Sequence, residues 1–157
     1  MKILILTILL FYSCENSENA DYLWEQGKIL RSEGSLQESI TLFKKLIHKF
    51  PNNILAAEAQ FQIADIYLND SKDYEFALKE FNIVLNKYNT HIVAKKSLFM
   101  LGYINNNYIN NYTKAINYYN QFLEKFPNDE LIPSVEYELK GLESINSVID
   151  SLNNINL

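Results

Sequence analysis

The residues able to do chemistry are few and scattered. There is one cysteine, Cys14, and there are two histidines, His48 and His91. One thiol makes neither an internal disulfide nor a zinc site. The histidines sit in unlike contexts, and no H-E-x-x-H, P-loop or G-x-S-x-G string occurs. Glu58, Asp65, Asp70 and Asp73 are close enough to be considered as a carboxylate site, but they read as a solvated helix face and the loop after it. Tyr108, Tyr112, Tyr118 and Tyr119 read as packing, and both histidines as surface residues near turns. The sequence therefore predicts no enzyme, no cofactor and no metal. What remains is Cys14 as an acceptor of modification, and surfaces.

The elements that would position those surfaces repeat. Ser39, Ala77 and Ala115 are 38 residues apart, as are Phe43, Phe81 and Tyr119, and Phe50, Tyr88 and Phe126. Pro51, Asn89 and Pro127 keep the same step, and Gly27, Ala64 and Gly102 follow at 37 and 38. Five landmarks in one register mean stacked units, because a period of 20 to 50 residues marks a solenoid or array. Each unit reads as a helix pair. Apolar residues recur at helical spacing in Asp21 to Glu33 (Leu23, Trp24, Ile29, Leu30) and in Leu36 to Phe50 (Ile40, Phe43, Leu46, Ile47). Gly34-Ser35 separates the two, and Pro51 ends the second, since a residue before Pro avoids helical angles. The second pair reads as Leu55 to Leu68 and Tyr74 to Tyr88, the third as Ile92 to Tyr108 and Tyr112 to Phe126. A last helix over Glu130 to Leu152 covers the open end of the stack. Small residues facing each other, Gly27 with Ser39 for example, predict close helix approach.

Composition sets limits on partners. The chain has 157 residues, one domain's worth, and is 48% hydrophobic. There are 14 Lys+Arg, of which only Arg31 is arginine, against 19 Asp+Glu, giving a net charge of -5. No basic run exceeds Lys44-Lys45 or Lys95-Lys96, so nucleic acid is not the partner.

The N-terminus carries its own signal. Lys2 precedes an apolar run of ten, Ile3 to Tyr12, interrupted only by Thr7. A helix needs about 20 residues to cross a bilayer, so this run has the length of a secretory segment instead. Ser13 and Cys14 follow, then the polar residues 15 to 19. The arrangement resembles a bacterial lipoprotein signal, although Phe11 and Tyr12 stand where that family has Leu and a small residue. The resemblance implies cleavage after residue 13, lipidation at Cys14, a tether over 14–19 and a mature domain over 20–157. Several acyl chains anchor a soluble domain far better than one.

The small, small, aromatic, Pro landmarks in helix pairs resemble the tetratricopeptide repeat, whose usual period is 34. The expected fold is all-α: a tetratricopeptide-like α-solenoid of three helix-pair repeats, 20–53, 54–91 and 92–129, with a cap over 130–152. The run from Lys49 to Ala59, K-F-P-N-N then Ala56 and Ala59, is similar to a long-period group of periplasmic lipoproteins. That group includes the D subunit of the outer-membrane β-barrel assembly machine and the Tol-associated cell-division coordinator. The order of lipidated Cys, short tether and first repeat is that of the barrel-assembly subunit, which carries more repeats than the three here. The resemblance implies a lipid-anchored interaction scaffold on the periplasmic face of the outer membrane, assisting β-barrel assembly through a barrel-assembly subunit or another envelope protein. A Tol- or peptidoglycan-linked division factor, or a docking module for an envelope enzyme, would read alike.

In tetratricopeptide stacks the first helix of each pair lines the concave face. Trp24, Phe61 and Phe99 fall at one register, three residues before the small positions, and Lys28, Asp65 and Tyr103 one residue after them. These six form the expected partner-binding row, since aromatic anchors carry much of the energy at interfaces. The same aromatics could instead pack between repeats. The family's Lys/Asn clamp for a terminal carboxylate is not matched, because only Lys28 is cationic among the six.

Overall fold

The protein is described here by a computed structural model covering residues 18–155, with side chains through residue 145. The signal segment and Cys14 lie outside the described residues. The elements are α1 (Ala20–Ser32), α2 (Leu36–Lys49), α3 (Ile54–Asp65), α4 (Tyr74–Lys87), α5 (Ile92–Asn107), α6 (Tyr112–Lys125) and α7 (Ile132–Ile155). No strand occurs among the described residues. Among them, too, no helix is long and apolar enough to cross a membrane.

Local chemistry sets the helix ends, and it repeats at the same step of 38. Asn53, His91 and Asp129 each accept the N–H two residues on, at 2.9, 3.3 and 3.0 Å, and so start the first helices of successive units. Asp73 and Asn111 accept the N–H three residues on and start α4 and α6. Gly34, Lys72 and Asn110 all hold positive φ, at 81°, 54° and 58°, and make the turn inside each pair. Glycine does this without strain, whereas Lys72 pays a steric cost of about 1–2 kcal/mol for its β-carbon. The second helices stop one residue before the expected end. Phe50, Tyr88 and Phe126 cap them instead, donating to the carbonyls of Leu46, Val84 and Phe122.

Two expected boundaries are corrected. The helix expected over Leu55 to Leu68 is α only to Asp65. A π-helical turn, Ile66–Asp70, follows, closed by Ser71 N–H on the Ile66 carbonyl at 2.9 Å. From the mid-helix small residue to the left-handed turn is seven residues in the first unit (Gly27 to Gly34) and eight in the second (Ala64 to Lys72). The π turn absorbs the extra residue. The last helix begins at Ile132 rather than Glu130, behind the Asp129 cap and with Pro133 in its first turn.

α1 packs on α2, α3 on α4 and α5 on α6, and each second helix packs on the first helix of the next unit. The first helices also touch one another, α1 with α3, α3 with α5 and α5 with α7. No comparable contact joins α2 to α4 or α4 to α6. The stack is therefore tighter on the first-helix side, which is the inner face of its curve. α7 occupies the place of a fourth first helix. Val135 and Leu142 are buried where Ala59 and Ser97, and Ile66 and Ile104, are buried in the second unit (α3 and its π turn) and in α5. The positions that those helices bury against their own partners are exposed in α7 as Glu136 and Lys140, a polar outer face suited to a cap.

Candidate functional site

The six row positions lie on the inner-face helices α1, α3 and α5, half-buried except for the exposed Lys28. Each aromatic leans on the buried ring of its paired helix. Trp24 lies 5.5 Å from Phe43, Phe61 5.3 Å from Phe81 and Phe99 6.0 Å from Tyr119, between ring centroids. One face of each ring is thus core. The packing of these rings is observed, and the rest of each ring stays partly exposed on the inner face.

The polar partners in the row are engaged within the chain. Lys28 pairs with Glu25 at 2.8 Å and lies over the Trp24 ring, 5.5 Å from its centroid. Asp65 and Asp70 are not the free solvated carboxylates expected. Arg31 donates from Nη2 to Asp65 at 2.6 Å, from Nε to Asp70 at 2.7 Å and from Nη1 to the Gln62 carbonyl at 2.7 Å. The π turn delivers Asp70 to this fork. Tyr103 stacks beneath Phe99 at 6.2 Å and meets Tyr108 edge-on at 5.9 Å. Tyr108 in turn stacks on Tyr74 of α4 at 4.3 Å, and remains 41% exposed. Burial, then Tyr108 and Glu138, push the Tyr103 phenol up from its ordinary pKa, so it stays a neutral donor.

Sequence reasoning missed three residues here. Arg31 is the chain's one arginine, and that rarity was the available signal. Tyr137 follows Phe99 by 38 residues and continues the row onto α7, where it is 78% exposed. Its neighbour Glu138 stands in a cleft of about 610 Å³ between α7 and the α5–α6 turn, lined by Asn106, Asn107, Asn110, Tyr112 and Gly141 among others. Glu138 Oε2 accepts from Asn106 Nδ2 at 2.7 Å and, at the long limit, from Tyr119 and Asn107 at 3.4 and 3.5 Å. Among the described residues no group of three or more His, Cys, Asp or Glu is placed to hold a metal ion.

Curved helix pairs with an aromatic inner row define an all-α tetratricopeptide solenoid, an architecture that serves as a protein-interaction scaffold. The family model described as tetratricopeptide repeat matches residues 21–53 and 96–129, within the first and third pairs. The pair between them carries Ala64 and Asn89 where the others carry Gly and Pro. Among solved structures, the fold is similar to the TPR2AB-domain:pHSP90-complex of yeast Sti1, with TM-score 0.67 and 17% identity over 83% of this chain. The chain spans 50% of that structure's length. It is also similar to the first TPR of Spaghetti (RPAP3) bound to HSP90 peptide SRMEEVD, with TM-score 0.61 and 20% identity over 84% of this chain and 96% of the other. A MamA RS-1 double mutant aligns with TM-score 0.54 and 16% identity, over 87% and 80% of the two chains. No curated protein matches the sequence.

Proposed function

We propose that this chain is a lipid-anchored protein-interaction scaffold of the bacterial cell envelope, held at the periplasmic face of the outer membrane through Cys14 and assisting β-barrel assembly. The observation that carries the scaffold half is the row Trp24, Phe61 and Phe99, one half-exposed aromatic per unit on the inner face. Two of the similar solved structures are complexes with HSP90 or a peptide of it, which supports a peptide-sized occupant for this face. An acidic tail such as SRMEEVD does not suit it. Lys28 is already paired with Glu25, and Arg31 with two carboxylates. The anchor half rests on the apolar run Ile3 to Tyr12, with Ser13 and Cys14 directly behind it. α1 begins at Ala20, so the scaffold would sit close to its anchor.

Crosslinked pull-down from membranes, with Cys14→Ala alongside, tests both halves. Recovery of a barrel-assembly subunit, lost or mislocalised with Cys14→Ala, is the expected result. Recovery of Tol or wall proteins alone would replace barrel assembly with the division or docking role. Unchanged membrane association of Cys14→Ala would remove the anchor.

A further inference from the structure

Glu138 is an inner-face carboxylate whose hydrogen-bond partners among the described residues are all neutral. Elsewhere on that face Asp65 and Asp70 share Arg31, and Glu25 holds Lys28. Glu138 instead meets amide and phenol donors, all on Oε2, and no cation stands within ion-pair distance among the described residues. Lys140 lines the same cleft without forming an ion pair with Glu138. A carboxylate that lines the cleft and is oriented through Oε2 by a 2.7 Å amide bond is a prepared acceptor for an outside cation.

The walls suit one cation in particular. The Asn106 amide gives its N–H to Glu138, which leaves its carbonyl oxygen to accept; Asn107 and Asn110 bring further amides. Gly141 keeps the floor open, since a β-carbon there would meet nothing within 4 Å. The exposed Tyr137 ring stands beside it. A planar donor fork that bonds a carboxylate and stacks on a phenol describes guanidinium better than ammonium. We infer that the Glu138 cleft takes an arginine side chain of the partner segment that lies along the aromatic row, with Asn106 and Tyr137 as its other contacts. This rests on the scaffold reading and gives the partner a chemistry: an extended segment with apolar residues for the row and an arginine at the α7 end.

The test is an amide NMR titration of the full chain, in micelles of a neutral detergent, with N-acetyl-arginine methylamide and with its citrulline isostere. Arginine is expected to shift the Asn106, Asn107 and Gly141 amides, at least tenfold more tightly than citrulline. The response is expected to be lost in Glu138→Gln and in Gly141→Leu, which fills the cleft while keeping the carboxylate. Equal response to citrulline, no response at millimolar arginine, or a response retained in Glu138→Gln would overturn the inference. Dispersion of the variants' spectra shows whether they are folded. A partner captured equally well by Glu138→Gln would sink the arginine site and leave the scaffold standing. Arginine-specific shifts without any captured partner would do the reverse.

Discussion

The Arg31 guanidinium of α1 and the Asp65 carboxylate of α3 meet at 2.6 Å across the first repeat boundary. The contact joins two helices that are adjacent in space but separated in sequence by all of α2. Its fork also takes Asp70 and Gln62, so one side chain ties the first unit to both the helix and the π turn of the second.

Removing that fork should loosen one boundary and not the whole stack. Arg31→Ala leaves Asp65 and Asp70 close together without their shared cation. The groups are a fifth to a third exposed, so solvent screening discounts the loss, to about 1–2 kcal/mol. Stability in a repeat array is a sum over units and neighbouring interfaces. Hydrogen exchange should therefore speed in α1 and α2 well ahead of α5 and α6, and Trp24 fluorescence should report an earlier transition than far-UV dichroism. A uniform increase along the chain would show that the pair does not act at a boundary.

Gly27 is held under Phe43 with no room for a methyl group. A β-carbon there would lie 2.6 Å from Phe43 Cε1, and at Gly102 the Tyr119 ring stands equally close. The Ser39 hydroxyl further fixes the approach by donating to the Gly27 carbonyl at 2.7 Å. Gly27→Ala should destabilise by about 1–3 kcal/mol through overpacking, against the gain of about 1 that alanine normally brings to a helix. Ala64, at the equivalent position, already holds a methyl group. Ala64→Gly should also destabilise, by about 1 kcal/mol. Urea denaturation of the pair of variants decides it: a stabilised Gly27→Ala would mean that the Phe43 ring can move.

Tyr88 carries a buried hydroxyl with no hydrogen-bond partner among the described residues. Its repeat equivalents, Phe50 and Phe126, lack that oxygen. Leaving a buried polar group unpaired costs about 1–3 kcal/mol, so Tyr88→Phe should raise stability by up to about that amount. Thermal melting checks it, and a lower Tm would reveal a partner for the hydroxyl.

The repeat was legible because its landmarks are steric requirements: small residues where helices cross, an aromatic in each layer, and Pro or Asn at the stop. The caps at Asn53, His91 and Asp129 and the left-handed turns at Gly34, Lys72 and Asn110 obey the same step. They were harder to see because different residue types fill one role at each copy. The aromatic row was legible as a register, but its half-burial was not, since that depends on where the rings of Phe43, Phe81 and Tyr119 settle. Arg31 and Glu138 were illegible for a different reason. Their partners lie on neighbouring helices, and one-dimensional spacing carries no record of which polar ends meet across a repeat boundary.

Lys95 and Asp129 give the third unit a pH-dependent clasp. The Lys95 ammonium, then the Leu131 N–H, hold the Asp129 carboxyl below its ordinary range, and Asp129 raises Lys95 in return. A depressed carboxyl stabilises the fold above its unfolded pKa, about 4, and that contribution is lost as pH falls through the lower folded value. The raised lysine contributes below its unfolded pKa and loses its share as pH rises through the higher folded one. Lys95→Met should therefore lower Tm at pH 6. The deficit should shrink steadily below pH 4, where the wild type loses the same interaction by protonation. A deficit of equal size at pH 6 and pH 2 would mean that the variant acts through packing on α5, with no part played by the charge of Asp129.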